Sequence, residues 1–167
     1  MTAKLIDGRI VSAEVQAAVA KAVSALPKPP CLAVVLVGDD PASAVYVKSK
    51  GERTEAAGMR SITRRLPADV SQSELHAEID ALNDDHEVDG VLLQLPLPKG
   101  LDEAAAIARI DPMKDVDGLT EASAGRLVLG KPGLRTCTPT GCVILAKHAL
   151  GPDLSGSQGV VEGRAIL

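Results

Sequence analysis

The stretch CLAVVLV, Cys31–Val37, is an unbroken apolar run of strand length, and GDDP, Gly38–Pro41, follows it directly. A strand with one face in water alternates polar and apolar residues. A run without a polar position is buried on both faces, as in a parallel sheet covered by helices. The flanking residues agree. Upstream, Val15, Ala18, Val19, Ala22, Val23 and Leu26 fall on one helical stripe, with Ser12 placed to cap it and Pro27, Pro29 and Pro30 ending it. Downstream, Ser43 sits where a helix cap belongs, and the helix runs to about Gly58, whose missing Cβ suits a C-terminal stop.

The alternation continues. Met59–Leu66 reads as a second strand. Ser71 and Glu74 have capping-box spacing, and Leu75, Ile79 and Leu82 then face one way, which predicts a helix over Ser71–Asp84. Val88–Gln94 is a third apolar strand, ended by Pro96 and Pro98. Asp102–Arg109 reads as a shorter helix, Gly118–Lys131 as loop with short pieces, and Thr140–Leu150 as a helix stopped by Gly151 and Pro152. Strands alternating with helices predict an α/β fold, a three-layer and mainly parallel sheet. This domain is expected over residues 1–150. In residues 151–167 a connection leads to a new strand at Val160 and Val161.

Composition narrows the function classes. Of 167 residues, 46% are hydrophobic and 24% charged, the balance of a folded globular chain. With no Trp, no Phe and Tyr46 as the single Tyr, the core must be built from Val, Leu, Ile and Ala. The net charge of −4 is spread without a basic block, which argues against a nucleic-acid partner. No apolar run approaches the roughly 20 residues that span a bilayer. Met1–Ile10 carries Lys4, Asp7 and Arg9 and lacks a signal-peptide core, so a cytoplasmic protein is expected. Cys31, Cys137 and Cys142 have neither zinc nor CxxC spacing, and His76, His86 and His148 stand alone, so reduced thiols and no metal site are expected.

In open α/β sheets, ligands bind beyond the carboxyl ends of the strands. Here that rule selects two places. One is the helix after Cys31–Val37, which delivers Tyr46 and Lys50. Spaced i, i+4, they share a helix face, where a phenol can orient an ammonium and exchange a proton with it. The spacing fits equally a solvated Lys beside a Tyr at a helix edge. The other place is the end of Val88–Gln94, where Gln94 breaks an apolar run. It is either an edge amide facing water or an amide that holds a substrate or the Lys50 amine. In KDVDG, Lys114–Gly118, alternating acids mark either a solvated turn or a carboxylate able to accept two N–H donors from a heterocycle. GRLVLGK, Gly125–Lys131, matches most of a phosphate-binding loop. Pro132 stands where that motif needs Ser or Thr, which argues against a kinase or ATPase.

YVKSK (Tyr46–Lys50), QLPLP (Gln94–Pro98), KDVDG (Lys114–Gly118) and CTPTG (Cys137–Gly141) occur in one order, preceded by LVGDDPAS (Leu36–Ser43). In that order they resemble the methylenetetrahydrofolate dehydrogenase/methenyltetrahydrofolate cyclohydrolase family. The resemblance implies an enzyme of one-carbon metabolism that oxidises methylenetetrahydrofolate with NADP and hydrolyses the methenyl product to formyltetrahydrofolate. It further implies a homodimer and no metal. By motif, Lys50 resembles the catalytic lysine, and Tyr46 the tyrosine that stacks near the pterin and positions it. Gln94 resembles the glutamine that hydrogen-bonds the lysine, and Asp117 the carboxylate that holds the pterin amino edge. Val160–Ala165 resembles the opening of the family's Rossmann-type NADP domain, with Gly163, Arg164 and Ala165 in its cofactor turn. There Glu162 replaces an apolar residue and Ala165 a Ser. The rest of the nucleotide sheet has no counterpart, so the NADP site is expected to be incomplete and dehydrogenase activity lacking. Glu52 stands where relatives often carry a second basic residue. A non-catalytic folate-binding or dimerising fragment is the alternative.

Overall fold

A computed structural model describes residues 5–159. Six helices and three strands are described: α1 (Gly8–Ser24), β1 (Cys31–Val37), α2 (Pro41–Ala56), β2 (Arg60–Leu66), α3 (Gln72–Asp84), β3 (Gly90–Leu93), α4 (Glu103–Arg109), α5 (Glu121–Val128) and α6 (Cys137–Leu150). The strands form one parallel sheet in the order β2-β1-β3, with the apolar run β1 at its centre.

The pleat of β1 divides the core in two. Ala33, Val35 and Val37 point to one face, joining Leu75, Ile79 and Leu82 of α3 and Ala106 of α4. Val34 and Leu36 point to the other, meeting Val47 of α2 and Leu92 of β3. The result is the expected three-layer α/β arrangement, built wholly from aliphatic side chains. The outer strand β2 carries Arg60, Arg64 and Arg65, and charged residues of this kind keep a strand edge from pairing with another chain.

Several element ends differ from the sequence expectation. Asp7, not Ser12, caps α1, because its carboxylate accepts from the Arg9 amide at 2.9 Å. Asp40, not Ser43, caps α2, with Pro41 in the first turn and the Ser43 amide donating to Asp40 Oδ2 at 2.7 Å. A carboxylate just ahead of a Pro outcompeted a Ser three positions later. The capping box on α3 is present as expected, and Gly58 closes α2 at φ +83°. β3 spans only Gly90–Leu93. The loop expected over Gly118–Lys131 contains a two-turn helix, α5, capped by Thr120. Its Gly125 lies inside that helix and no strand precedes it, so GRLVLGK forms no phosphate loop. α6 starts at Cys137, one turn earlier than Thr140. The α1 helix forms, yet of its expected stripe only Val23 is buried, while Val15, Ala18, Val19, Ala22 and Leu26 stay exposed, and α6 buries none of its side chains among the described residues. α1 and α6 touch each other, and the rest of both faces stays open among the described residues.

Candidate active site

β3 ends at Leu93, and the chain continues beside β1 for one more residue, with the Gln94 amide donating to the Val35 carbonyl at 2.9 Å. That bond fixes the backbone at the carboxyl end of the sheet. The Leu95–Pro96 peptide that follows is cis. The half-buried Gln94 side chain donates from Nε2 to the Leu95 carbonyl at 2.7 Å, which leaves Oε1 turned to accept. Lys50 Nζ, from the third turn of α2, donates to that Oε1 at 3.2 Å. Residues 44 positions apart therefore meet at one point above the sheet.

Asp117 reaches this point by a different route. The Lys114–Asp117 segment runs beside β3 as a partial fourth strand: Val91 bridges Asp115, and the Val91 amide donates to the Lys114 carbonyl at 2.7 Å. Gly90 makes the close approach possible, since a Cβ there would lie 2.4 Å from Val116 Cγ1. Gly118 then turns the chain at φ +68°. A Cβ on it would come within 2.9 Å of the Arg135 and Thr136 backbone, so only glycine lets the start of α6 lie against Asp117.

The two acids of KDVDG differ in surroundings. Asp115 is 1% exposed. Its carboxylate accepts from the Thr120 amide (2.9 Å), Thr120 Oγ1 (2.8 Å), Ser123 Oγ (2.8 Å) and the Leu119 amide (3.2 Å). Burial is the largest single influence on it and pushes its pKa up, but the four hydrogen bonds together hold it below the ordinary carboxylate value. Asp117 is half-buried and makes no hydrogen bond among the described residues. Burial pushes its pKa up; the Lys50 charge pulls it down and the Asp115 charge adds to the rise. Cys137, an exposed residue at the start of α6, is also raised, first by the partial desolvation of its thiol and then by Asp117, with Lys50 opposing. Asp117, Lys50 and Cys137 thus share one electrostatic neighbourhood.

Tyr46 lies one turn before Lys50 on α2 and is 65% exposed. No hydrogen bond joins it to Lys50 or Gln94. Glu52 lies beyond Lys50 and pairs with Lys48 at 3.8 Å on the exposed surface. Gly163, Arg164 and Ala165 lie outside the described residues. The structure adds three residues that the sequence reading passed over as functional supports. Lys114 Nζ donates to the carbonyls of Leu82, Asn83 and Asp85 at 3.0, 2.6 and 2.8 Å, closing the C-terminus of α3. Asp115 anchors α5, and Cys137 borders the cluster. A Lys ahead of an acid pair gave no local signal of a cap, because its acceptors lie about thirty residues earlier.

Residues 6–117 match the profile of the tetrahydrofolate dehydrogenase/cyclohydrolase catalytic domain. The chain belongs to that family. The chain is 70% identical, over its whole length, to the bifunctional protein FolD of Hyphomonas neptunium, and covers 57% of that relative. FolD of Maricaulis maris is 60% identical, again over the whole chain and 57% of the relative. Among solved structures, the FolD dehydrogenase/cyclohydrolase of Campylobacter jejuni superposes with a TM-score of 0.84 at 38% identity, covering 89% of this chain and 54% of that one. The Trypanosoma brucei enzyme, solved with NADP and an inhibitor, superposes with a TM-score of 0.85 at 30% identity, covering 93% and 55%. The chain therefore spans a little over half the length of the relatives it matches. The profile match ends at Asp117, so the family's signature covers Lys50, Gln94 and both acids of KDVDG.

Proposed function

We propose that this chain supplies the folate-binding catalytic part of a methylenetetrahydrofolate dehydrogenase/methenyltetrahydrofolate cyclohydrolase, with Lys50 as its acid and base. The supporting observation is the 3.2 Å hydrogen bond from Lys50 Nζ to Gln94 Oε1 in a cluster that also feels Asp117. Asp117 is the acceptor for two adjacent N–H groups of the pterin edge, since its oxygens are engaged by no described residue. Tyr46 offers an exposed ring near the same helix face for the flat heterocycle.

The cyclohydrolase step fits these residue types. The methenyl carbon is cationic and electrophilic. Lys50 in its amine form takes a proton from water as the oxygen bonds to that carbon, giving a neutral carbinol. The ammonium then returns the proton to ring nitrogen N5 as the carbon–N5 bond breaks. The hydroxyl proton leaves to solvent and the formyl C=O forms. The sum is cation plus water giving formyl product plus one proton. Gln94 aims the amine through both transfers.

NADP would supply the hydride acceptor for the dehydrogenase reaction. None of the three described strands is followed by a GxGxxG turn, so the described residues do not fit that cofactor and no step through it is derived from them. We assign residues 1–150 to the tetrahydrofolate domain and 151–167 to the start of an NADP domain. We expect these 167 residues to give no NADPH, and the protein to be a cytoplasmic homodimer. A second reading, folate binding without turnover, draws on the 57% coverage of relatives.

The test is loss of methenyltetrahydrofolate absorbance. The chain should accelerate it, and Lys50→Met should remove roughly a hundredfold to ten-thousandfold of the rate while leaving folate binding in place. Equal rates for the two proteins would refute the role of Lys50. Binding without turnover in both would favour the second reading.

A further inference from the structure

Asp115 is a buried anion with no cationic partner among the described residues. Four N–H and O–H donors, all from the segment that opens α5, hold it instead. Such a carboxylate keeps its charge and cannot rotate without stranding several donors. Its backbone is bridged to Val91, and the next side chain, Val116, fills the space over Gly90. The folate acceptor of the proposed function, Asp117, is two residues further on. We propose that Asp115 is a positioning residue for Asp117: locked to the first turn of α5, it fixes the Lys114–Gly118 segment against β3 and keeps a permanent negative charge beside Asp117, making Asp117 a stronger acceptor for the N–H groups of a pterin. This rests on the reading of Asp117 given above.

The electrostatics of the cluster agree with that geometry. The charged and titratable groups acting on Asp117 come from each element around it: Lys50 from α2, Asp115 from its own segment and Cys137 from α6. Lys50 favours the charged form of Asp117, and Asp115 opposes it. Lys114 is turned away, into the C-terminus of α3. Asp115 is therefore the anion on this segment that makes Asp117 more basic. A more basic carboxylate, in its ionised form, accepts N–H hydrogen bonds more strongly.

The experiment measures calorimetric affinity of the 167-residue chain for 5,10-dideazatetrahydrofolate. This probe keeps the 2-amino-4-oxo edge and neither hydrolyses nor oxidises at N5. Titrations run from about pH 4 to about pH 8, across the carboxylate range. Asp115→Asn is expected to weaken binding roughly tenfold to a hundredfold and to move the acid limb of the affinity profile to lower pH, because Asp117 loses a negative neighbour. A purely structural role would lower affinity with the limb in place, and that result overturns the electrostatic part of the proposal. Ser123→Ala removes one donor to Asp115 and one acceptor for Thr120 Oγ1, but no charge, so it should weaken binding by less and leave the limb unmoved. A folded Asp115→Asn protein with wild-type affinity and limb overturns the proposal. If that variant does not fold, wild-type affinity in Ser123→Ala does so. Asp117→Asn is the separate control: unchanged binding there defeats the reading of Asp117 itself.

Discussion

Replacing Gly90 with alanine tests how tightly the Asp117 segment is pressed against the sheet. The new methyl would sit 2.4 Å from Val116 Cγ1. That is about 1.1 Å short of the ~3.5 Å at which two carbons meet comfortably. Little nearby can yield. Val116 is β-branched and stiff at χ1, and its neighbour Asp115 is bridged to Val91 and tied to α5 by four hydrogen bonds. Overpacking of this kind costs about 1–3 kcal/mol. A chain of this size loses about 2–4 °C of melting temperature per kcal/mol, so Gly90→Ala should melt about 2–12 °C lower. Val116→Ala alone should cost about 1–2 kcal/mol in lost burial. The double variant should then cost less than the sum of the singles, with a coupling of at least about 1 kcal/mol, because Val116→Ala removes the side chain that the new methyl meets and the methyl fills part of the space it leaves. Thermal melts followed by circular dichroism measure all four proteins. A Gly90→Ala protein as stable as wild type, or a double variant showing simple additivity, would refute the packing argument. Because the strain falls on the Asp117 segment, folate affinity should drop in Gly90→Ala and recover in part in the double variant.

Gln94→Glu replaces the acceptor of Lys50 by a carboxylate, which holds the proton on the ammonium; at neutral pH the methenyl hydrolysis rate should fall at least about tenfold and recover as pH rises. A rate unchanged in this variant would mean that Gln94 does not govern the amine. Lys114→Met strips three carbonyls at the end of α3 of their donor and should cost about 1.5–3 kcal/mol in chemical denaturation, with little change in the hydrolysis rate per folded molecule. The two acids of KDVDG should pull stability in opposite directions with pH. The folded pKa of Asp115 is lowered, so its stabilisation is full above the unfolded carboxylate value and fades as pH falls through the folded one. The folded pKa of Asp117 is raised, so the native state holds the extra proton and stability falls as pH climbs from the unfolded value through the folded one. Denaturation across the acid range should therefore show Asp117→Asn gaining relative stability with rising pH and Asp115→Asn losing it.

The alternation of apolar runs with amphipathic stretches predicted the parallel α/β layers, because a strand buried on both faces must be apolar throughout and β1 is. The α3 capping box was equally legible, since its partners lie three residues apart. The candidate site was legible only as types and order: an amine, a phenol, an amide and two acids in motifs resembling one family. The residues of DVD by themselves look alike; only the family resemblance singled out Asp117, and nothing in the sequence gave Asp115 a role. Asp115 is saturated by donors from the start of α5, a helix that the sequence reading missed because it is only eight residues long and holds Gly125, a poor helix former. Lys114 looked like part of the acid motif, yet it closes a helix that ends thirty residues earlier.

Local pattern, then, determined the strands, most helices and the family of this chain, because helix and strand periods and caps act over a few residues. The tertiary structure decided the meeting of Lys50 with Gln94, the burial of Asp115 and the open state of Asp117. The first depends on the pairing of Gln94 beside β1; the placement of the two acids depends on the close approach at Gly90 and Gly118, where missing side chains let distant backbone come near. Such a contact is a property of the packed chain and leaves no mark on the sequence beyond a glycine.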